Sequence, residues 1–290
     1  MWHNFMTQRR KNMFKNFLIM SLTAIFGGSG CLPFVPILPQ ENNTQYYCSS
    51  YSGYGTTPEN HIEEFTYDSY TRTYTMIDTL VPNYYSSYGI NGCTPTASCI
   101  VTAYYDSLYP NLLPNYDPYY IYNNRVYWET QNDTINTMQI ELYNLMGTNT
   151  EASGTSVAQF KSGMTSYYNT KGYNITYNNV STLVTPTNAI NWFTQEKPVI
   201  LFLTSYDFYP AVQFNISNTS ASIIGQRETV GHAVVACAYF EYTFYVNNEV
   251  SRLDKWLYVA FGNGYYGYLS INNTSYIEEA YTFDISVRTE

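Results

Sequence analysis

Asn91-Gly92-Cys93-Thr94-Pro95-Thr96-Ala97 is the stretch on which the reading of this chain turns. Behind the cysteine, Ala97, Ile100, Val101 and Tyr104 recur at i, i+3, i+4 and i+7, the apolar stripe of a helix that packs inward. Proline is tolerated only in the first turn of a helix, so Pro95 sets Cys93 at the helix N-terminus. Unpaired N–H groups and the helix dipole favour a thiolate there, the reactive form of cysteine. Far downstream, Gly231-His232-Ala233-Val234-Val235-Ala236 opens an apolar, strand-like run with a histidine that can present its imidazole to that thiolate. Taken singly, each residue is ordinary: a small buried cysteine, an unrelated histidine. Taken in this order and context, they read as a nucleophile and its base.

At these residues the chain resembles the papain-like cysteine peptidases, most closely the C39-like branch. His232 lies 139 residues after Cys93, inside the roughly 130–150 that divides nucleophile from base in papain-like enzymes. The resemblance rests on NGCTPTA around Cys93, AYYD at Ala103 to Asp106, MGT at Met146 to Thr148, GTS at Gly154 to Ser156, KPVIL at Lys197 to Leu201 and GHAVV at Gly231 to Val235. It covers about residues 78 to 285. It implies an α+β fold of two lobes, an N-terminal helical lobe and a C-terminal antiparallel sheet, with the active site between them. It also implies a catalytic set of Cys, His and Asn or Asp.

For the third member, the family places Asn or Asp before an aromatic residue, and Asn263 in Gly262-Asn263-Gly264-Tyr265 is the best candidate. Asn247, 15 residues after His232, is the runner-up. Asn-Gly is also an ordinary hairpin-turn signal. The oxyanion hole departs from the family pattern, which pairs the nucleophile's N–H with an upstream glutamine. No Gln occurs between Gln45 and Gln131; Asn83, Ser86 and Ser87 are the donors on offer, with Ser87 nearest the expected spacing.

Composition narrows the function classes. Charged residues make up 12% of the 290, about half the usual fraction, while tyrosine reaches 34 copies. Charge-poor chains rich in Tyr, Asn, Thr and Ser resemble proteins displayed outside the cell. A net charge of −9, with no basic cluster beyond the N-terminus, argues against a nucleic-acid partner. With three histidines and no CxxC pair, zinc is not expected. No cofactor is implied.

Residues 1–31 read as a signal peptide or N-terminal anchor. Arg9, Arg10, Lys11 and Lys15 precede the apolar run from Phe17 to Phe26, then Gly27-Gly28-Ser29-Gly30-Cys31. Cys31 resembles a bacterial lipoprotein site, although Gly28 stands where an aliphatic residue is expected. Membrane contact is therefore expected only through this segment or a lipid on Cys31. Cys48, Cys99 and Cys237 leave room for one disulfide of undetermined pairing. Eight Asn-x-Ser/Thr sequons give weak support for surface display and glycosylation.

Residues 32–60 are rich in Pro, Gly, Ser and Tyr and read as a linker, and 61–290 as the peptidase domain. Glu63 to Val81 suggests a strand or hairpin lying on that domain. Asp117 to Tyr127 reads as an aromatic loop. Helices are expected after Cys93, near Asn132 or Asp133, and near Ser156, with a brief one capped by Thr187. Ile175 to Val180, Val199 to Thr204, Ala233 to Val246, Trp256 to Phe261, Tyr265 to Asn272 and Ala280 to Val287 read as strands. The function expected is an exported cysteine peptidase acting on a peptide or protein through a thioester. The alternatives are an inactive surface-binding protein on the same fold, or a peptidoglycan amidase or transglutaminase-like acyl transferase.

Overall fold

Tyrosine, threonine and β-branched residues fit a pleated, half-buried surface, and among the described residues strands outnumber helices. The computed structural model describes residues 59–289 apart from 79, 87–91, 115, 117–118, 123–124, 129–132, 151–153 and 229–230. The leader, Cys31, Cys48, Ser87 and nearly all of the linker lie outside the described residues.

In chain order the elements are β1 (Glu59–Thr66), β2 (Ser69–Met76), α1 (Cys93–Asp106), β3 (Tyr119–Tyr122), β4 (Arg125–Trp128), α2 (Asp133–Leu145), α3 (Val157–Thr170), β5 (Tyr173–Asn179) and α4 (Pro186–Thr194). There follow β6 (Val199–Leu203), β7 (Tyr206–Pro210), β8 (Phe214–Ile216), β9 (Ser220–Glu228), β10 (His232–Val246), β11 (Glu249–Ala260), β12 (Tyr266–Ser270) and β13 (Ile277–Val287). Eleven of these strands join one sheet in the order β1-β9-β7-β12-β11-β10-β6-β13-β5, with β2 also on β10 and β8 also on β9. β3 and β4 pair separately as a small hairpin where an aromatic loop was expected.

The expected α+β arrangement of a papain-like helical lobe beside a sheet lobe is overturned. The protein is dominated by its antiparallel sheet, and the described helices, of 9 to 14 residues, build no lobe of their own. Instead α1 packs on β10 and on α2, α3 packs on β5, and α4 packs on β10 and β2. Two stretches account for the difference. Residues 59–76 do not fold as a hairpin on the surface: β1 pairs with β9 and β2 with β10, so both enter the main sheet. Residues 206–228 supply β7, β8 and β9, a region in which no strand was foreseen.

β10 organises the sheet. Its first half, from His232 to Ala236, pairs with β6, and its second half, from Ala238 to Tyr245, pairs with β2. The change of partner falls at Cys237, where a register shift against β11 marks a bulge. The main core lies where the helices cover the sheet. It takes in Ile100 and Tyr104 of α1, Phe160 and Met164 of α3, and the buried strand β6. A second, mainly aromatic core of Tyr67, Tyr209, Ala221, Ile223, Tyr242, Phe244 and Trp256 fills the other end, where the β1–β9 arm packs over the far halves of β10 and β11. Arg252 lies over the Phe65 ring and reaches Glu63 at 2.5 Å, tying β11 to β1 across that core.

Candidate active site

α1 is the innermost helix, buried at every residue from Thr94 to Asp106, well beyond the single stripe its periodicity suggests. Its first turn carries no acidic residue and Gly92 offers no side-chain cap, so the positive end of the helix stays free to act on Cys93. Cys93 itself is half-buried. Across from it, His232 is the first residue of β10, opposite Leu203 of β6, and is buried.

The groups that act on the Cys93 thiol are the His232 ring, the backbone N–H of Ala233 and the Thr94 side chain. Burial alone would push this thiol up, but those three partners and the charge on His232 outweigh it and hold the thiol below its ordinary range. Burial likewise works to lower His232, yet the Cys93 hydrogen bond and charge, the carbonyl of Phe261 and the carboxylate of Glu228 carry it above the usual imidazole value. Both shifts run in the direction that favours a thiolate beside an imidazolium.

The imidazole is held by the main chain. Nε2 lies 2.9 Å from the carbonyl oxygen of Phe261, which leaves Nδ1 for the sulfur and fixes the tautomer in the neutral state. The Phe261 ring lies 4.4 Å from the imidazole, and the Tyr206 ring runs nearly parallel to it at 6.3 Å. Aromatic walls on these sides reduce water's access to the pair.

Asn263 is not where the resemblance would have it act. It lies two residues past Phe261 and is 9% exposed, and neither Oδ1 nor Nδ2 has a hydrogen-bond partner among the described residues. The acceptor on His232 is thus a backbone carbonyl, a group with no residue signature. Asn247, the runner-up, sits in the β10–β11 turn with φ +52°, about 45 Å along the strand from His232 at about 3.3 Å per residue. It cannot reach the imidazole.

The loop carrying Asn263 is tightly built. Phe261 N–H donates to the Tyr265 carbonyl at 3.2 Å, and Gly262 N–H donates to Asn83 Oδ1 at 3.3 Å. Gly264, at φ +86°, sits so close under the Tyr85 ring that a Cβ there would lie 2.1 Å from it, so only glycine fits. Asn83, one of the upstream donors considered for the oxyanion, is 3% exposed and serves this loop through Oδ1, while its Nδ2 has no partner. Ser87 lies outside the described residues. His61 falls on β1, opposite Gly225.

Cys99 and Cys237 are free and buried in the main core. Among the described residues no group of three or more His, Cys, Asp or Glu side chains converges on one point. No helix among them is long and apolar enough to cross a membrane. No family model, curated protein or solved structure matches this chain.

Proposed function

We propose that this protein is a cysteine peptidase in which Cys93 is the nucleophile and His232 the general base and acid. The observation that carries the reading is the thiol of Cys93 at a helix N-terminus, lowered by an imidazole whose Nε2 is anchored on the Phe261 carbonyl. The thiolate adds to the carbonyl carbon of the scissile amide, and the charge moves to the carbonyl oxygen beside the free N–H groups of α1. The tetrahedral intermediate collapses as the imidazolium gives its proton to the leaving nitrogen, leaving a thioester on Cys93 and a neutral imidazole. Water then adds to the thioester with His232 taking its proton, and the thiolate is released. The basic residues ahead of the apolar run from Phe17 to Phe26 support export, placing this chemistry outside the cell or on its outer face.

The test is reactivity. At pH 6 an ordinary thiol is about 0.3% thiolate. Cys93, lowered by His232, is expected to alkylate at least tenfold faster than Cys99 or Cys237 in folded protein, with peptide mapping to locate the label. The pH dependence follows from the two directions. Activity rises as pH climbs through the lowered thiol value and falls as pH passes the raised imidazole value, giving a bell between them. Cys93→Ala abolishes labelling and hydrolysis. Equal labelling of the three cysteines, with no peptide cleaved from acid to neutral pH, would replace the peptidase by a binding protein.

A further inference from the structure

The wall beside His232 carries a charge that amide hydrolysis does not itself require. β9 ends at Glu228, directly across from Tyr206 on β7, and Gln226 sits across from Phe208. Residues paired across two strands project from the same face. Tyr206 is the residue whose ring runs parallel to the imidazole, and Phe208 stacks at 4.0 Å on Phe261, the residue that anchors it. Glu228 and Gln226 therefore stand on the face that holds the base. Further along β9 this face opens to solvent, where Ile224 pairs with Ile62, itself 63% exposed.

Glu228 is half-buried, and the charged group it senses is His232. No basic side chain pairs with it among the described residues. Its neighbour Arg227 projects from the opposite face and is held by Asp207 at 3.0 Å. Both imidazole nitrogens are occupied, one by the thiol and one by Phe261, so Glu228 is not the group that orients the base. A partly dehydrated carboxylate that among the described residues shares only the charge of the imidazole gains a strong, charge-assisted bond when a ligand brings a cation. The net charge of −9 draws cationic ligands toward the molecule.

From this placement we infer that Glu228 determines specificity, receiving a Lys or Arg side chain of a peptide substrate at a position next to the scissile bond. The inference rests on the peptidase reading and names its substrate class. The test uses the full chain and peptides that differ only in the two residues flanking the cleaved bond, each carrying Lys, norleucine or Glu. Wild type is expected to favour the Lys peptide over norleucine by about tenfold to a hundredfold in kcat/KM. Glu228→Gln should erase that preference. Because Glu228 also helps to raise His232, the peptides are compared at the top of each variant's own pH profile, where the norleucine peptide should stay within about threefold of wild type. Glu228→Lys should turn the preference toward the Glu peptide.

Alkylation of Cys93 in the same samples reports whether the pair remains intact and the variants folded. Fast labelling without a basic preference, or without cleavage of any peptide, overturns this inference and spares the nucleophile. An equal loss on all three peptides in Glu228→Gln also overturns it, because Glu228 would then act only through the charge of His232. Absence of selective Cys93 labelling in wild type removes both readings.

Discussion

Asn263 is a buried amide with both polar ends unpaired, and each such orphan costs about 1–3 kcal/mol relative to a satisfied group. Because Phe261 already holds His232, Asn263→Ala is expected to change kcat by less than about threefold and to leave stability equal or raised by up to about 1 kcal/mol. Urea unfolding and steady-state hydrolysis on one preparation measure both. A loss of a hundredfold in kcat would bring the amide back into the catalytic cycle. The residues proposed as nucleophile and base each advertise themselves locally, Cys93 through Pro95 and the helix period, His232 at the head of an apolar run. The acceptor was not legible, since any residue at position 261 presents the same carbonyl, and an Asn-Gly pair close by drew the assignment. The contacts of Ala233 N–H and Thr94 with the sulfur were foreseeable only as neighbours of the two motifs.

At the scale of elements, the helices were read closely and the strands unevenly. α3 begins where Ser156 predicts, with a full capping box in which Ser156 and Gln159 satisfy each other's backbone N–H. α4 is capped by Thr185 rather than Thr187, because Pro186 takes the first helical position that proline favours. Leu145, the last residue of α2, is 37% exposed, whereas Ile135, Met138 and Leu142 are buried and form its inner face. α2 and α3 meet closely at Gly163, where an added Cβ would lie 2.4 Å from Met146 Cγ and 2.9 Å from its backbone nitrogen. Helix propensity alone would have Gly163→Ala stabilise the protein by about 1 kcal/mol. The contact reverses the sign, and a net loss of about 1–3 kcal/mol is expected in a urea titration. The strands β7 to β9 escaped notice because no clean alternation marks them: β7 gives Tyr206 and Phe208 to the main core and Tyr209 to the second, while β9 sends only Ala221 and Ile223 into a core.

Across the whole molecule, two cores share the strands β10 and β11, and the second is anchored on Trp256. Its ring meets Tyr209 and Phe214 edge-on at 4.9 and 5.2 Å, while Nε1 has no hydrogen-bond partner. Trp256→Ala is expected to cost about 3–5 kcal/mol. Trp256→Phe, which removes the orphan donor and keeps most of the apolar area, should cost under about 1.5 kcal/mol. Neither change should alter the Cys93 alkylation rate of the protein that remains folded, as the nucleophile belongs to the other core. Near-UV circular dichroism through the unfolding transition, with labelling below it, checks both. The aromatic core was the least legible part of the architecture: its members come from four separate strands and the turn after β1, and only the closed sheet brings them together.

The pairing of β1 with β9 joins Glu59 to Arg227, and that of β2 with β10 joins Ser69 to Tyr245. For a chain made and threaded from its N-terminus, these partners arrive late. At about 5–20 residues per second, the ribosome reaches His232 only some 10–50 s after it starts, and β13 follows it. Until then the first two strands have nothing to pair with, and α1 has no sheet to lie on. Under the proposed export, first strands that find their partners this late suit passage through a narrow translocation channel. The same order means that Cys93 and His232 meet only once nearly the whole chain is available, so the nucleophile gains its partner late, after the segments made with it have left the ribosome.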